Sequence, residues 1–156
     1  MKKSVYLDST IPSYRFDERD SVKTFVEITQ KWWDEERDNF DLFISSETIN
    51  ELQEGDYPNK DTVIESISEI EVLSFDDRVF DIAQIYIQNY LMPNILKGDA
   101  IHLAYASLYK MDFLLTWNCN HLANANKKQH IKIINTRLEL STPEITTPLQ
   151  LFTEKI

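Results

Sequence analysis

Short apolar runs alternate along the chain with longer segments in which apolar residues recur every three or four positions. The apolar runs predict buried strands, and the longer segments predict amphipathic helices. Strands that alternate with helices in this way predict an α/β fold with a central parallel sheet and helices on both faces. The predicted strands are residues 4–7, 41–45, 72–75, 113–116 and 131–134. The predicted helices are residues 20–37, 46–54, 60–68, 76–90, 99–110 and 121–128, with a short edge element after residue 138.

Two of the predicted helices carry aromatic residues on their apolar sides. In residues 20–37, the spacing of Phe25, Ile28 and Trp32 predicts the buried face. Trp33 cannot face the same way as its neighbour Trp32, so we expect one tryptophan in the core and the other in an interface groove. In the helix of residues 76–90, the predicted apolar side comprises Val79, Phe80, Ala83, Ile87 and Tyr90.

The length of 156 residues and the even composition predict a single domain over residues 1–156. Lys2 and Lys3 are not followed by an apolar segment, so we expect no signal peptide. No apolar run approaches the roughly 18 residues that a membrane span needs. A lone cysteine, Cys119, excludes an internal disulfide and is typical of a reducing compartment. We therefore expect a cytoplasmic protein that does not associate with membranes.

The formal net charge of −10 limits the classes of partner. Proteins that bind nucleic acid along its backbone usually present a basic surface, because neutralised phosphates release counterions. The acidic balance therefore counts against a protein that coats DNA or RNA. It counts less against a nuclease, since cations complete an acidic catalytic site.

Four polar residues stand where the ends of parallel strands meet at one edge of a sheet. Asp8 follows the first strand, Glu51 lies one turn into the helix after the second, Asp99 opens a helix, and Asn118 follows the strand of residues 113–116. In doubly wound sheets, sites form outside the carboxyl ends of the strands. Carboxylates within about 4–6 Å repel each other by a few kcal/mol per pair, and divalent cations remove that repulsion.

Mg²⁺ or Mn²⁺ is the cation that such oxygen ligands favour. A metal-bound water can attack a phosphodiester in line, and the metal can also stabilise the leaving oxygen. The set of four residues therefore predicts metal-dependent hydrolysis of a phosphodiester.

Each of these residues also has a structural interpretation. Asp8 can cap the turn that follows its strand, and Glu51 stands three residues after Thr48, which matches a capping box. Asp99 can stabilise a helix through its dipole, and Asn118 is a common turn residue.

Four segments resemble those of PIN-domain proteins, the ribonuclease family that includes VapC-type toxins. The resemblance extends over residues 4–135 and implies a Rossmann-like PIN domain. The matching segments are Val5-Tyr-Leu-Asp-Ser-Thr10, Ile44-Ser-Ser-Glu-Thr-Ile-Asn-Glu-Leu52, Gly98-Asp-Ala-Ile-His-Leu-Ala-Tyr-Ala106 and Phe113-Leu-Leu-Thr-Trp-Asn-Cys-Asn-His-Leu122.

The resemblance implies that Asp8, Glu51 and Asp99 hold Mg²⁺ or Mn²⁺ and that Ser9 or Thr10 orients the site. We also expect Thr116 and His121 to orient the site or contact substrate, although a structural role for His121 remains open. The implied activity is an endoribonuclease that leaves a 5′-phosphate and a 3′-hydroxyl. By analogy, the resemblance suggests a toxin of a toxin–antitoxin pair, with RNA as substrate, an antitoxin protein as partner and a homodimer as assembly.

Asn118 departs from the family pattern, because many members carry a fourth acid at this position. An amide can still bind a metal or place a water, but it adds no negative charge. The competing hypothesis is therefore a PIN-fold module with weak chemistry that binds RNA or a protein. A phosphoacceptor receiver or a dehalogenase-type phosphatase fits less well, since the latter needs an acid where this chain has Thr10.

Two further groups invite a functional interpretation. His102 lies three residues after Asp99, but we expect it to be a packing residue rather than a metal ligand. Lys127, Lys128 and Lys132 form the basic cluster of the sequence. We favour lysines near a helix C-terminus over a phosphate-steering patch.

Overall fold

A five-stranded parallel sheet forms the centre of the computed structural model, which describes residues 1–92, 98–118, 122 and 125–153. The strand order is β3-β2-β1-β4-β5, and each neighbouring pair is parallel. Strand order therefore reverses beside β1, and the crevice between the ends of β1 and β4 is the switch point of the sheet. The strands are β1 Lys3–Leu7, β2 Phe40–Ile44, β3 Glu71–Val72, β4 Phe113–Leu115 and β5 Glu144–Thr146.

Helices cover both faces of the sheet, which confirms the predicted α/β class. Side chains alternate along β1: Tyr6 enters the core under α5, α6 and α7, whereas Val5 and Leu7 enter the core under α1 to α4. None of the helices in the described part of the chain combines the length and the hydropathy that a membrane span requires. The helices are α1 Thr10–Arg15, α2 Lys23–Glu36, α3 Ser46–Gln53, α4 Lys60–Ser66, α5 Arg78–Gln88, α6 Asp99–Leu108 and α7 Ala125–Arg137.

The predicted strand at residues 131–134 is wrong, because this segment belongs to α7. Ile131 and Ile134 are buried on one helical face, whereas Ile133 is exposed. A short apolar run has no period of its own, so it fits a strand or a helix equally well. The fifth strand is β5, which lies at the edge of the sheet beside β4 and agrees with the edge element expected after residue 138.

The lysine cluster lies in α7 rather than near the end of a short helix. The helix α7 begins at Ala125 and continues to Arg137, so Lys127 and Lys128 fall in its first turn. Lys127 donates a hydrogen bond from Nζ to the carbonyl oxygen of Leu91 at 2.9 Å. The explanation through a helix C-terminus is therefore wrong for these two lysines.

The buried face of α2 is rotated relative to the prediction. Phe25 is 43% exposed, and Val26 and Thr29 are buried instead. Both tryptophans are buried, so the expectation that one lies in an interface groove is wrong. Trp32 stacks on Phe40, whereas the second tryptophan is covered by two guanidinium groups, those of Arg15 and Arg37.

The apolar side of α5 is narrower than its sequence predicts. Val79, Ala83 and Ile87 are buried as expected, but Phe80 is 40% exposed. Tyr90 is 91% exposed because the helix ends at Gln88 and Tyr90 adopts a left-handed backbone with φ of 60°.

A buried polar network fixes α6 against its neighbours. Asn135 on α7 accepts a hydrogen bond from the Tyr86 hydroxyl at 2.6 Å and donates one to Ser107 Oγ at 3.0 Å. All three side chains are fully buried. The network joins α5, α6 and α7 and so sets the position of the helix that carries Asp99 and His102.

Replacing Asn135 by alanine should lower the free energy of unfolding by about 1–3 kcal/mol, because the Tyr86 hydroxyl loses its closest acceptor in the interior. Urea unfolding measures this change. The control is Thr136→Ala on the exposed side of the same helix, which we expect to change stability by about 0.5 kcal/mol or less. Equal effects of the two substitutions would contradict a stabilising role for the network.

Candidate functional site

The site is built around Asp8 at the switch point of the sheet. Asp8 directly follows β1, and its backbone N–H donates to the carbonyl oxygen of Leu115 at 3.3 Å, which continues the pairing with β4. Because β1 has a neighbour on each side and helices on both faces, the side chain that follows it is buried. Asp8 is 2% exposed.

Two threonines from different elements hold the Asp8 carboxylate. Thr10 at the start of α1 donates to Oδ1 from its backbone N–H at 3.0 Å and from its hydroxyl at 2.5 Å. Thr116, which follows β4, donates its hydroxyl to Oδ2. Both carboxylate oxygens therefore have partners, and the carboxylate joins the ends of β1 and β4.

Burial raises the pKa of Asp8 from 3.8 to about 6. The charge of Asp99 adds to this rise, while the charge of His102 and the two threonine hydroxyls oppose it without cancelling it. Burial disfavours a charged group, so an ionised Asp8 is a negative charge held at a cost in the protein interior.

The same threonines position the chain beyond β4. The Thr10 hydroxyl accepts a hydrogen bond from the backbone N–H of Trp117 at 3.0 Å. The Thr116 hydroxyl accepts one from the backbone N–H of Asn118 at 2.9 Å. The positions of these backbone groups therefore depend on the carboxylate of Asp8.

Asn118 lies beside Asp99 and donates a hydrogen bond from Nδ2 to Asp99 Oδ2 at 2.6 Å. Asp99 is the first residue of α6, and Gly98 occupies the N-cap. Asp99 lies close enough to Asp8 for its charge to raise the pKa of that carboxyl. The end of β4 and the start of α6 therefore meet at the predicted edge.

Glu51 on α3 reaches the site through the imidazole of His102. Glu51 Oε1 is hydrogen-bonded to His102 Nε2, and His102 Nδ1 lies 2.6 Å from the hydroxyl of Tyr6. His102 is 1% exposed, which confirms the expected burial. It is not mere packing, since its ring joins the carboxylate on α3 to the strand β1.

The pKa of His102 lies well above its ordinary value of 6.5. Burial alone would lower this pKa, but the Tyr6 oxygen, the hydrogen bond and charge of Glu51, and the charge of Asp8 together outweigh burial. A protonated imidazole is thus an internal cation among the carboxylates of the site.

Glu47 is a site residue that sequence analysis missed. It stands one helical turn before Glu51, and its Oε2 accepts a hydrogen bond from the backbone N–H of Gly98 at 3.3 Å. Burial raises the pKa of Glu47, and the negative charge of Glu51 raises it further. The spacing of four residues on one helix was the available signal.

Gly98 allows the chain to approach these two carboxylates. Its φ of +66° is a conformation that residues with side chains rarely adopt, and a Cβ there would lie 3.8 Å from Glu51 Oε2. The tight backbone at Gly98 brings the start of α6 against α3.

The structure places six of the eight predicted site residues at one edge of the sheet, in two hydrogen-bonded groups. Ser9 lines the adjoining groove, and His121 lies outside the described residues. A capping box at Glu51 is wrong, because Ser45 is the N-cap of α3 and the Thr48 hydroxyl donates to the carbonyl oxygen of Leu7 at 3.0 Å. The six residues are Asp8, Thr10, Glu51, Asp99, Thr116 and Asn118.

The donor types suit Mg²⁺ or Mn²⁺, because carboxylate and amide oxygens dominate the edge. Burial makes the ionised form of Asp8 costly and the charge of Asp99 adds to that cost, which a bound cation would offset. Among the residues that the structure describes, no three acidic, histidine or cysteine side chains are grouped closely enough to hold a metal as they stand. Glu51 and Asp99 instead contact His102 and Asn118.

The strand order and the acidic switch point define a doubly wound α/β protein with a polar site at the usual edge. Among solved structures, the chain is similar to a chain in the crystal structure of VapBC2 from Rickettsia felis bound to a DNA fragment from their promoter. The TM-score is 0.53 at 17% sequence identity, and the match covers 92% of this chain and 98% of the other. At this identity the similarity shows the fold alone. No protein-family model and no curated protein matches the sequence.

Replacing Asp8 by asparagine should stabilise the protein at pH 7, because an amide carries no charge into the interior. The rise in pKa from 3.8 to about 6 corresponds to roughly 3 kcal/mol that the ionised form costs. Below the lower pKa, Asp8 is protonated in the folded and unfolded states, so the cost is absent. The free-energy cost of the ionised carboxylate grows as the pH rises to about 6 and is constant above that value.

We expect urea unfolding in EDTA to show that Asp8→Asn raises the free energy of unfolding by about 1–3 kcal/mol at pH 7. The increase is smaller where the amide forms a weaker hydrogen bond with a threonine hydroxyl than the carboxylate does. The gain should fade as the pH falls from 6 towards 3.8. The control is Asp41→Asn, which makes the same change at an exposed acid near the start of β2, at the end of the sheet away from the site. A loss of stability at pH 7 would mean that the carboxylate stabilises the fold.

Proposed function

We propose that this protein is a metal-dependent endoribonuclease that hydrolyses RNA to a 5′-phosphate and a 3′-hydroxyl. The observation that carries the proposal is the buried carboxylate of Asp8, close to Asp99, at the switch point of the sheet. The threonine hydrogen bonds do not remove the cost of burying this charge, and perturbed carboxylates in a cleft are typical of functional sites.

Asp8, Glu51 and Asp99 are the proposed ligands of Mg²⁺ or Mn²⁺. When bound, the cation supplies an activated water and stabilises charge on the phosphate oxygens. Thr10 and Thr116 orient the Asp8 carboxylate through their hydroxyl hydrogen bonds.

The imidazole of His102 is proposed to hold Glu51 near the edge before the cation binds. Its raised pKa gives it positive charge near neutral pH, so it balances part of the negative charge of the site. The Tyr6 hydroxyl orients the ring, because it contacts Nδ1 while Glu51 contacts Nε2. The buried ring of His102 thus restrains the Glu51 carboxylate through a hydrogen bond.

RNA as the substrate is proposed from the resemblance to PIN-domain ribonucleases, and the fold similarity to a chain of VapBC2 supports it. The same similarity supports a toxin of a toxin–antitoxin pair, because the sequence segments resemble those of VapC-type toxins and the similar chain comes from a structure of VapBC2. We therefore include an antitoxin protein as a partner and a homodimer as the assembly in the proposal. Function is not fixed by fold, so each element needs its own test.

A second candidate function is a module of the same fold that binds RNA or a protein with weak or no chemistry. The contact that favours it is the hydrogen bond from Asn118 to Asp99, because it occupies an oxygen of a proposed ligand with a neutral group. An acid at this position would instead add negative charge beside Asp99, and a bound cation would then offset a larger repulsion.

Wild-type protein should cut labelled RNA in the presence of Mn²⁺ or Mg²⁺, and Asp8→Asn should reduce the rate by about a hundredfold or more, because the ligand charge is lost. The assay follows product length and end chemistry on gels, with EDTA as the metal-free sample. Asp41→Asn makes the same chemical change at the other end of the sheet and should cut like wild type.

Equal cutting by wild type and Asp8→Asn would place the activity elsewhere or in a contaminant. If no RNA is cut by the wild type with either cation, the binding module becomes the better function. Products that carry a cyclic phosphate would contradict attack by water.

Asn118→Asp should lower the melting temperature in EDTA, by about 2–4 °C for each kcal/mol lost, because it replaces a hydrogen bond with repulsion between two carboxylates. Mn²⁺ should restore the loss and raise the melting temperature more than in wild type. The matched control is Gln88→Glu, an exposed amide on α5, which should not change the response to Mn²⁺. Identical Mn²⁺ responses in wild type and Asn118→Asp would exclude position 118 from the cation shell.

A further inference from the structure

A groove of about 300 Å³ opens from the proposed active site. Its lining includes Ser9, Thr10 and Glu51, which contact or neighbour the proposed site, and the tyrosines Tyr14 and Tyr57. The groove therefore begins at residues that contact or neighbour Asp8. A second depression of about 500 Å³ shares Ser13, Arg19 and Tyr57 with it, so the two form one path along α1.

The two tyrosines of the groove are each held in place by a contact with a neighbouring residue. The Tyr57 hydroxyl donates to the carbonyl oxygen of Leu52 at 2.5 Å. Tyr14 stacks on Phe25 with ring centroids 6.3 Å apart, and Phe25 packs against Trp117 at 4.9 Å. Both tyrosines are half-buried, so part of each remains accessible. Rings that are already fixed lose little conformational freedom when a flat ligand stacks on them.

The charges of the groove favour a neutral ligand over a phosphate. Glu51 and Glu54 are both in its lining and would repel an anion. Arg19 also lines it, but its guanidinium donates to both carboxylate oxygens of Asp17, from Nε to Oδ1 at 3.0 Å and from Nη2 to Oδ2 at 2.7 Å. Carboxylates accept hydrogen bonds from amino groups, so the groove suits a flat apolar face with amino groups at its rim.

We propose that this groove binds one unpaired nucleobase of a single-stranded RNA, next to the phosphodiester at the carboxylate edge. The proposal rests on the proposed nuclease function and names its substrate class. The groove has room for a single base rather than a duplex, and base–aromatic stacking needs no particular sequence. Stacking also explains how a chain of net charge −10 holds RNA, because it requires no basic surface.

Saturation-transfer NMR with adenosine tests the subsite without a phosphate and without a metal. Wild-type protein should transfer saturation to the base protons, and ribose alone should show none. Tyr14→Ala and Tyr57→Ala should each weaken adenosine binding by about tenfold, the loss expected for one stacking contact. Tyr14→Phe keeps the ring and its stacking on Phe25 and should bind as wild type does.

The matched control is Tyr90→Ala, which removes a 91% exposed tyrosine that is not in the groove lining and should leave binding unchanged. Circular dichroism checks the fold of each variant. If Tyr57→Ala fails to fold because its contact with Leu52 is lost, the Tyr14 pair decides the outcome. Adenosine binding that is the same in Tyr14→Ala and wild type overturns the proposal and leaves the groove to another occupant, such as a segment of a protein partner.

RNA cleavage, measured separately, distinguishes failure of the subsite from failure of the nuclease. Cleavage together with adenosine binding that does not depend on the rings would overturn the subsite alone. Ring-dependent adenosine binding without cleavage would overturn the nuclease and leave the subsite standing. Faster cutting of single-stranded than of duplex RNA supports both, and preference for duplex RNA overturns the subsite.

Discussion

A buried carboxylate at the end of the central strand is the constraint on which the rest of the site depends. Asp8 has to lie inside the protein, because β1 is paired on both sides and covered on both faces. The surrounding chain supplies hydroxyl donors from two elements, Thr10 on α1 and Thr116 after β4, and these still leave the pKa at about 6. Hydrogen bonds therefore reduce the cost of the charge without removing it. Proteins keep such costs mainly where function requires them, so the geometry is better explained by chemistry than by stability.

Two chains of hydrogen bonds spread this constraint to the helices on either side. The Tyr6 hydroxyl contacts the ring of His102 on α6, and the other ring nitrogen contacts Glu51 on α3. The Thr116 hydroxyl accepts from the backbone of Asn118, whose side chain binds Asp99. Both chains begin on or beside β1 and end at proposed ligands. A shift of α3 or α6 would thus change the position of two carboxylates together, which couples helix packing to the charge of the site.

The sequence predicted those parts of the structure that depend on local pattern. Asp8 was placed correctly, because a buried run followed by an acid defines the end of a strand and a parallel sheet brings such ends together. The strand at residues 131–134 was wrong, since an apolar run of this length has the same appearance in a helix. His102 was expected only to pack, although it joins three elements. Glu47 was missed although it stands four residues before Glu51, because that spacing alone does not show its contact with the backbone N–H of Gly98 in a distant segment.

The acidic balance of the chain and the proposed substrate are compatible once each contribution to binding is considered separately. A basic surface gives affinity through released counterions, and the net charge of −10 argues against that route. Arg19, which lines the groove, is engaged by Asp17, and Arg15 on α1 lies over the ring of Trp33. A divalent cation at the carboxylates would attract one phosphate, and stacking on Tyr14 would hold a base without charge. Affinity built in this way is confined to a few nucleotides around the reacting bond. An enzyme that must release a cut strand benefits from that confinement, whereas a protein that coats RNA would not.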